Sequence, residues 1–328
     1  MVKYPRIFLS GLIALALFLN SCSKDENDSP AIVIPELTFN SEIALIINNI
    51  CEDSIQKYVE ALENMDTRYA LADNRRDVAM SILGKFASFG YTDVKLDSFQ
   101  LNKYYAGTTY YTWQYNVIAT LPGTVYPDSI SIIGGHHDSI IDSGLGSPFN
   151  SAPGANDNAS GVATTLEVAR TLKKVNFQPK TTIKFVTFAA EELGLYGSYD
   201  YAGKAFQANS KIKMMLNNDM VAYWSNPDTS NWCVNILDYT NSTSLRKKAQ
   251  EVCKLYTSLK TNNDNTYQEY SDSYPFALKG YKAIFFISNA DDENYHTPND
   301  LTTQCNFKFC REVAKVNCVL LIENNFAD

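Results

Sequence analysis

Apolar side chains recur at intervals of three and four from Ser41 to about Met65, with Ile43, Ile46, Ile47 and Ile50 followed by Ile55, Tyr58, Val59 and Leu62. That spacing predicts helix. A second helix is predicted over 74–89, where Val78, Ile82, Phe86 and Phe89 share one face and Gly90 supplies the stop. The pattern then changes. Three runs, 94–101, 110–121 and 129–133, are rich in β-branched and aromatic residues, are separated by Leu-Pro-Gly and Tyr-Pro-Asp turn signals, and read as strands. From there the reading is helix 161–174, strand 182–188, helix 196–208, strand 212–216, strand 233–237, helix 244–259, strand 283–287, and a closing helix from about 303 to 325. Such alternation predicts an α/β fold of three layers, in which a mostly parallel, mixed central sheet is covered by helices on both faces. No internal repeat is visible, and no linker divides residues 40–328, so they are expected to form one domain.

The amino terminus differs. Lys3 and Arg6 precede a 13-residue apolar run, Ile7 to Leu19. A membrane-spanning helix needs roughly 20 such residues, so 1–21 reads as a secretory signal. The run ends in Leu19-Asn20-Ser21-Cys22. It resembles the lipobox of bacterial lipoproteins, which implies cleavage before Cys22 and lipidation of that cysteine. Residues 22–39, polar at first and carrying Pro30 and Pro35, read as a tether. The expected location is therefore outside the cytoplasm, anchored to the outer membrane, with the Ser-Lys-Asp-Glu stretch after Cys22 resembling a tag for its outer face.

Charge narrows the partners. The signal holds two basic and no acidic side chains, leaving 26 basic against 36 acidic residues and a net charge of −10. Nucleic acid is excluded as a natural partner, because its binding rests on neutralising phosphates. Membrane attachment is expected through lipidated Cys22 only. The other six cysteines, Cys51, Cys233, Cys253, Cys305, Cys310 and Cys318, are an even number in an exported chain, so disulfides are allowed. Six cysteines permit 15 pairings and the sequence does not choose among them. Buried apolar thiols are the alternative, as for Cys310 and Cys318, eight apart on one predicted helix.

The chemistry sits in five short segments: GGHHDS, GANDNASG, AAEELGLYGS, NNDM and YHTPND. All three histidines in the chain lie there, and four of the five segments follow an apolar run. Their acids and imidazoles should gather along one edge of the sheet. In Gly135-His136-His137-Asp138 the strand period of two puts His136 and Asp138 on one side and His137 on the other. His136 as a metal ligand with Asp138 as its orienting partner is coherent, because a ligating imidazole usually donates its second N–H to a carboxylate. Asp157 stands just before a predicted helix, among glycines that allow close backbone approach. Glu191 and Glu192 end a buried-looking strand. Adjacent carboxylates in a partly dry site repel unless a proton or cation intervenes. A metal resolves this by binding one and leaving the other as a base. Asp219 also ends an apolar strand, and His296 follows another. Alone, each segment reads equally well as a helix cap, a turn or a solvated loop; together they point to a metal site.

Taken in order from about Gly134 to Asp300, these segments resemble the motifs of the dinuclear zinc aminopeptidases, peptidase family M28. The resemblance implies a zinc-exopeptidase-like fold, with 40–328 as catalytic domain and two Zn ions per chain about 3.5–4 Å apart. It implies substrates that are peptides with a free amino terminus, cut at the first peptide bond by a water bridging the metals. Carried over by motif, Asp157 bridges both ions, His136 and Asp219 complete one site, and Glu192 and His296 complete the other. Glu191 is then the general base and Asp138 orients His136, and the Asp157-Asn158 peptide bond is cis. Two departures touch substrate handling: the family commonly has aspartate at Asn158 and histidine at Ser273. Tyr223, Trp224, Tyr274 and Phe276 lie near the motifs and are candidates for an apolar pocket, with a place in the core the equal alternative. A glutaminyl-peptide cyclotransferase of the same fold, with one zinc, is the alternative enzyme. A binding module that kept the fold and lost its ligands is the alternative outside catalysis.

Overall fold

The computed structural model describes residues 37–224 and 228–326. The expected signal, Cys22 and the tether up to residue 36 lie outside the described residues. The first predicted helix is two: α1 (Ser41–Ile47) and α2 (Glu52–Glu63). Asn40 caps α1 by accepting the amides of Glu42 and Ile43. The break follows from Asn49, whose side-chain amide donates back to the carbonyls of Leu45 and Ile46, offering the backbone an alternative to further helix. The Cys51 amide then bonds the Glu167 carboxylate instead of a carbonyl of the preceding turn. The next elements are α3 (Arg75–Ser88), β1 (Val94–Tyr105), β2 (Thr108–Leu121), β3 (Tyr126–His136), α4 (Ser160–Lys174), β4 (Thr181–Phe188), α5 (Tyr196–Gln207) and β5 (Lys211–Asn218). They are followed by β6 (Cys233–Asp238), α6 (Thr243–Tyr256), β7 (Lys260–Asn262), α7 (Ser273–Leu278), β8 (Ala283–Ser288) and α8 (Phe307–Phe326). β7 and α7, at three and six residues, are too short to leave a periodic signal, and neither was expected.

The strands form one eight-stranded sheet in the order β1-β2-β4-β3-β5-β8-β6-β7. Four neighbouring pairs are parallel and three antiparallel, so the sheet is mixed as expected, with its parallel centre at β4-β3-β5-β8. Successive residues of the central strands feed opposite faces. Ile133, Phe185, Met214 and Leu216 enter the larger core under α2, α4 and α8, whereas Ile132, Val186, Phe188 and Met215 enter a smaller one with Tyr201 of α5 and Phe276 of α7. Burial on both faces explains why these strands read as continuous apolar runs rather than alternating ones.

Because β3, β4, β5 and β8 run in one direction, their carboxyl ends open on the same edge. Two glycines let that edge close. A Cβ on Gly135 would lie 2.3 Å from the Asn218 carbonyl oxygen, and one on Gly161 would lie 2.1 Å from the same atom. Only glycine at both positions lets the end of β3 and the start of α4 pack against the end of β5. Among the described residues all six cysteines are free, with Cys253, Cys310 and Cys318 buried as apolar thiols. No helix among them is long and apolar enough to cross a membrane.

Candidate metal centre

His136 is the last residue of β3, and the strand period separates it from His137 as expected. The His137 imidazole lies in the interior with Nδ1 3.0 Å from the Thr187 hydroxyl, and burial pushes its pKa down to about 4. His136 faces the other way. Its Nε2 lies 3.2 Å from Asp157 Oδ1 and 3.3 Å from Asp219 Oδ1. The second histidine mirrors this. His296 Nε2 is 3.1 Å from Asp157 Oδ2 and 3.1 Å from Glu192 Oε2. Asp157 therefore offers one oxygen to each imidazole, and the peptide bond that follows it is cis.

Two three-residue groups result, His136-Asp157-Asp219 and Asp157-Glu192-His296, each with one ligand atom per residue and all such atoms within 4.8 Å of one another. They share Asp157. Three buried atoms that face this space, Glu192 Oε1, Asp219 Oδ1 and His296 Nε2, make no well-aligned hydrogen bond. Buried polar atoms are ordinarily satisfied, so the donor set fits divalent metal, and its mixture of imidazole and carboxylate is the kind zinc takes.

The electrostatics agree with that fit. Burial pushes Glu192 up to about 8, and the neighbouring charge of Asp157 adds to it. Burial likewise raises Glu191 well above the carboxylate range, with Glu192 and Asp219 adding and His136 opposing. For His296, burial lowers the pKa but Asp157 and Glu192 outweigh it and carry the group to about 11. A cluster that must hold protons to exist without a cation is one from which a metal can displace them.

Asp138 meets the centre with both its main chain and its side chain. The His136 Nδ1 contact is to the Asp138 carbonyl at 3.1 Å, while the nearer carboxylate oxygen stands at 3.6 Å. The carboxylate instead accepts the backbone amides of Glu191, at 3.0 Å, and Glu192, at 3.2 Å. One residue thus orients the imidazole through its main chain and fixes the turn bearing both glutamates through its side chain. That turn starts with Ala190 in the left-handed region at φ 58°, and Met220 and His296 share that conformation at 54° and 55°. Non-glycine residues held there cost about 1–3 kcal/mol each, and such positions cluster where a backbone must re-aim a functional side chain.

A family model described as Peptidase family M28 matches residues 116–321, a span that contains every one of these groups. The chain belongs to peptidase family M28. This M28 chain is 29% identical over 313 residues to leucine aminopeptidase 1 of Colletotrichum graminicola, an alignment covering 90% of the chain and 74% of that relative. Among solved structures it is similar to LapB from Legionella pneumophila, with a TM-score of 0.74, 22% identity and coverage of 90% and 78%. It is also similar to the glutaminyl cyclase of Fimbriiglobus ruber, with a TM-score of 0.67, 16% identity and coverage of 88% and 97%.

Asn158 and Ser273, the two positions expected to depart from the family pattern, do not face the cavity. Asn158 is fully buried; its amide donates to the Asn218 carbonyl at 2.9 Å and its oxygen accepts the Gly161 amide at 2.9 Å. The amide donor suits that carbonyl, which an ionised aspartate would repel. Ser273 is buried with its hydroxyl 2.9 Å from the Tyr239 hydroxyl. Three of the four aromatics named from the sequence are likewise elsewhere. Phe276 packs between Phe188 and Tyr201, Trp224 stacks on Phe309 and Tyr274 on Tyr239. The cavity over the metal centre, 1170 Å³, is lined instead by Met220, Phe285, Ile287, Tyr267, Tyr270 and Tyr295 among others. Also unanticipated is Ser271, whose hydroxyl donates to Asp219 Oδ2 at 2.6 Å while accepting the Asn217 side-chain amide at 2.6 Å.

Proposed function

We propose that this M28 peptidase is a zinc-dependent aminopeptidase that holds two zinc ions and releases the first residue of peptides. The observation that carries the proposal is the sharing of Asp157 between two ligand groups, one oxygen toward each histidine. His136 and Asp219 would hold one ion, Glu192 and His296 the other, and Asp157 both. Zinc bound there supplies Lewis-acid polarisation of the scissile carbonyl and makes a nearby water more acidic. Glu191 lines the cavity floor beside the cluster, with Oε2 4.0 Å from His136 Nε2. A carboxylate whose pKa burial has raised is suited to take a proton from the attacking water and return it to the leaving amine. Asp138 holds Glu191 in that position through its amide.

The cavity favours a free amino terminus. Among its described lining residues, Asp264, Glu269, Asp291 and Asp292 join the ligand carboxylates, and no lysine or arginine lines it. An ammonium group is attracted to such a surface. Met220, Phe285 and Ile287 beside the cluster give the first side chain an apolar lodging. A non-catalytic binding module would predict eroded ligands, whereas all five ligand residues and the base are present.

A panel of aminoacyl chromogenic substrates, assayed with zinc and again after chelation, tests the reading. Apolar first residues should be released fastest, and chelation should abolish release. Absence of cleavage for every member in the presence of zinc would sink the aminopeptidase assignment. We further propose that the protein is exported and lipid-anchored to the outer membrane through Cys22, which rests on the apolar run and cysteine of the sequence. In cells, Cys22→Ser should move it from the membrane to the soluble fraction; an unchanged distribution counts against the anchor.

A further inference from the structure

Arg68 and Asp300 lie outside the cavity lining, and both are 2% exposed. Arg68 stands in the irregular segment between α2 and α3, and its guanidinium donates only to main-chain carbonyls. Nε reaches His137 O at 2.8 Å, Nη1 reaches Pro153 O at 2.6 Å and Leu62 O at 3.4 Å, and Nη2 reaches Gly154 O at 2.7 Å. A buried cation is expensive unless opposite charge is near. Here the nearby anions are Asp300, Asp138, Asp157 and Glu192, three of them members of the metal centre.

Asp300 closes the same turn from the other side. Its Oδ1 accepts the Asn156 amide at 2.7 Å, its Oδ2 accepts the Asp157 amide at 2.9 Å, and its carbonyl accepts the Ala155 amide at 3.0 Å. The turn 153–157 is thus gripped by a cation on two successive carbonyls and an anion on two successive amides. Gly154 is left-handed at φ 51°, and a Cβ there would meet the Asp157 carbonyl oxygen, the Ser139 Cβ and, at 2.8 Å, Arg68 Nη2, so only glycine lets the turn pack this closely. The grip ties three ligand-bearing segments together. Arg68 joins the turn of Asp157 to the strand end of His136, and Asp300 joins it to the loop of His296, four residues before.

We propose that Arg68 and Asp300 are a paired positioning clamp that sets the spacing of His136, Asp157 and His296 and thereby the zinc affinity, without touching metal or substrate. The proposal rests on the zinc reading above. Charge-assisted hydrogen bonds with four fixed donors cannot be copied by lysine, whose ammonium is a compact point charge.

The test compares full-length wild type with Arg68→Lys, Arg68→Met, Asp300→Asn and the double variant Arg68→Met/Asp300→Asn. Zinc dissociation constants are measured by competition with a chromophoric chelator, and thermal unfolding is followed with and without zinc. Each single variant should bind zinc about 10–100-fold more weakly, as outer partners of metal ligands do. The loss in the double variant should be smaller than the product of the single losses, because both ends act on one turn. The rise in Tm on adding zinc should shrink in step. Wild-type affinity in the folded variants, with Tm lowered equally in both forms, would reduce the pair to a fold-stabilising role and overturn the clamp alone. Wild-type affinity in Arg68→Lys would do the same, by showing that charge suffices. A wild type with no zinc affinity would overturn the zinc reading and the clamp with it. Asp300→Asn changes no volume and removes one acceptor, so it carries the test if Arg68→Met does not fold.

Discussion

Replacing Glu191 with Gln should lower kcat by about 10²–10⁴-fold, the usual contribution of a positioned general base, while zinc content stays at the wild-type value. The substitution keeps shape and volume. It also keeps the backbone amide that donates to Asp138, so the turn should not move. The result matters because His136, Glu191 and Glu192 also come close enough together to hold an ion among them. Two roles are therefore open to the adjacent glutamates, and distance separates them. Glu192 Oε2 stands 3.1 Å from His296 Nε2, whereas the nearest approach of Glu191 to His136 Nε2 is 4.0 Å. Glu192→Gln should accordingly lose zinc as well as activity. Metal analysis of the two variants beside single-turnover kinetics decides the matter: zinc lost from Glu191→Gln, or near-normal turnover in it, would refute its role as base.

The gathering of candidate ligands was open to sequence reasoning because its signals are local, whereas the choice of Glu191 over Glu192 as base came from the family resemblance. His136, Glu192 and Asp219 each close or follow a strand whose period is visible, Asp157 stands just before a periodic helix, and a parallel sheet brings strand ends and the starts of the helices that follow them to one edge. The β-strand period alone separated His136 from His137. What escaped is non-local. Arg68, which lies outside every motif, reaches partners 69 to 86 residues away, and Asp300, though it closes a motif, reaches back 143 and 144 residues to a turn with which nothing in the sequence pairs it. Ser271 meets Asp219 across 52 residues. The choice between pocket and core for the aromatics near the motifs stayed open for a related reason. Trp224 and Phe276 neighbour the motifs along the chain, but their rings pack against other aromatics of the core. Nearness in sequence to a ligand says little about which way a large side chain points. The one helix read where there are two marks the opposite limit: the apolar period continues through residues 48–50, and only the side-chain bonds of Asn49 end α1.

Asp157 should be the most damaging position in the centre, because it alone serves both ligand groups. Asp157→Asn keeps the volume but turns one anionic oxygen into an amide donor aimed at an imidazole. With Asp157 Oδ1 3.2 Å from His136 Nε2 and Oδ2 3.1 Å from His296 Nε2, neither orientation of that amide can satisfy both sides. The expected outcome is loss of at least one of two zinc ions and a fall in kcat of about 10³-fold or more, since a polarising metal is worth several kcal/mol at the transition state. His136→Ala and His296→Ala each remove a ligand from only one group, so each should retain one ion. Zinc per chain, measured by atomic emission after gel filtration, gives the comparison its force. Two ions in wild type and one in each histidine variant fit a shared aspartate. A single ion in wild type, lost wholly in both histidine variants and accompanied by cyclisation of amino-terminal glutamine, would instead favour the cyclase chemistry for which a similar fold is known. Retention of both ions by Asp157→Asn would remove the bridging role itself, and with it the argument that two metals act together at this edge of the sheet.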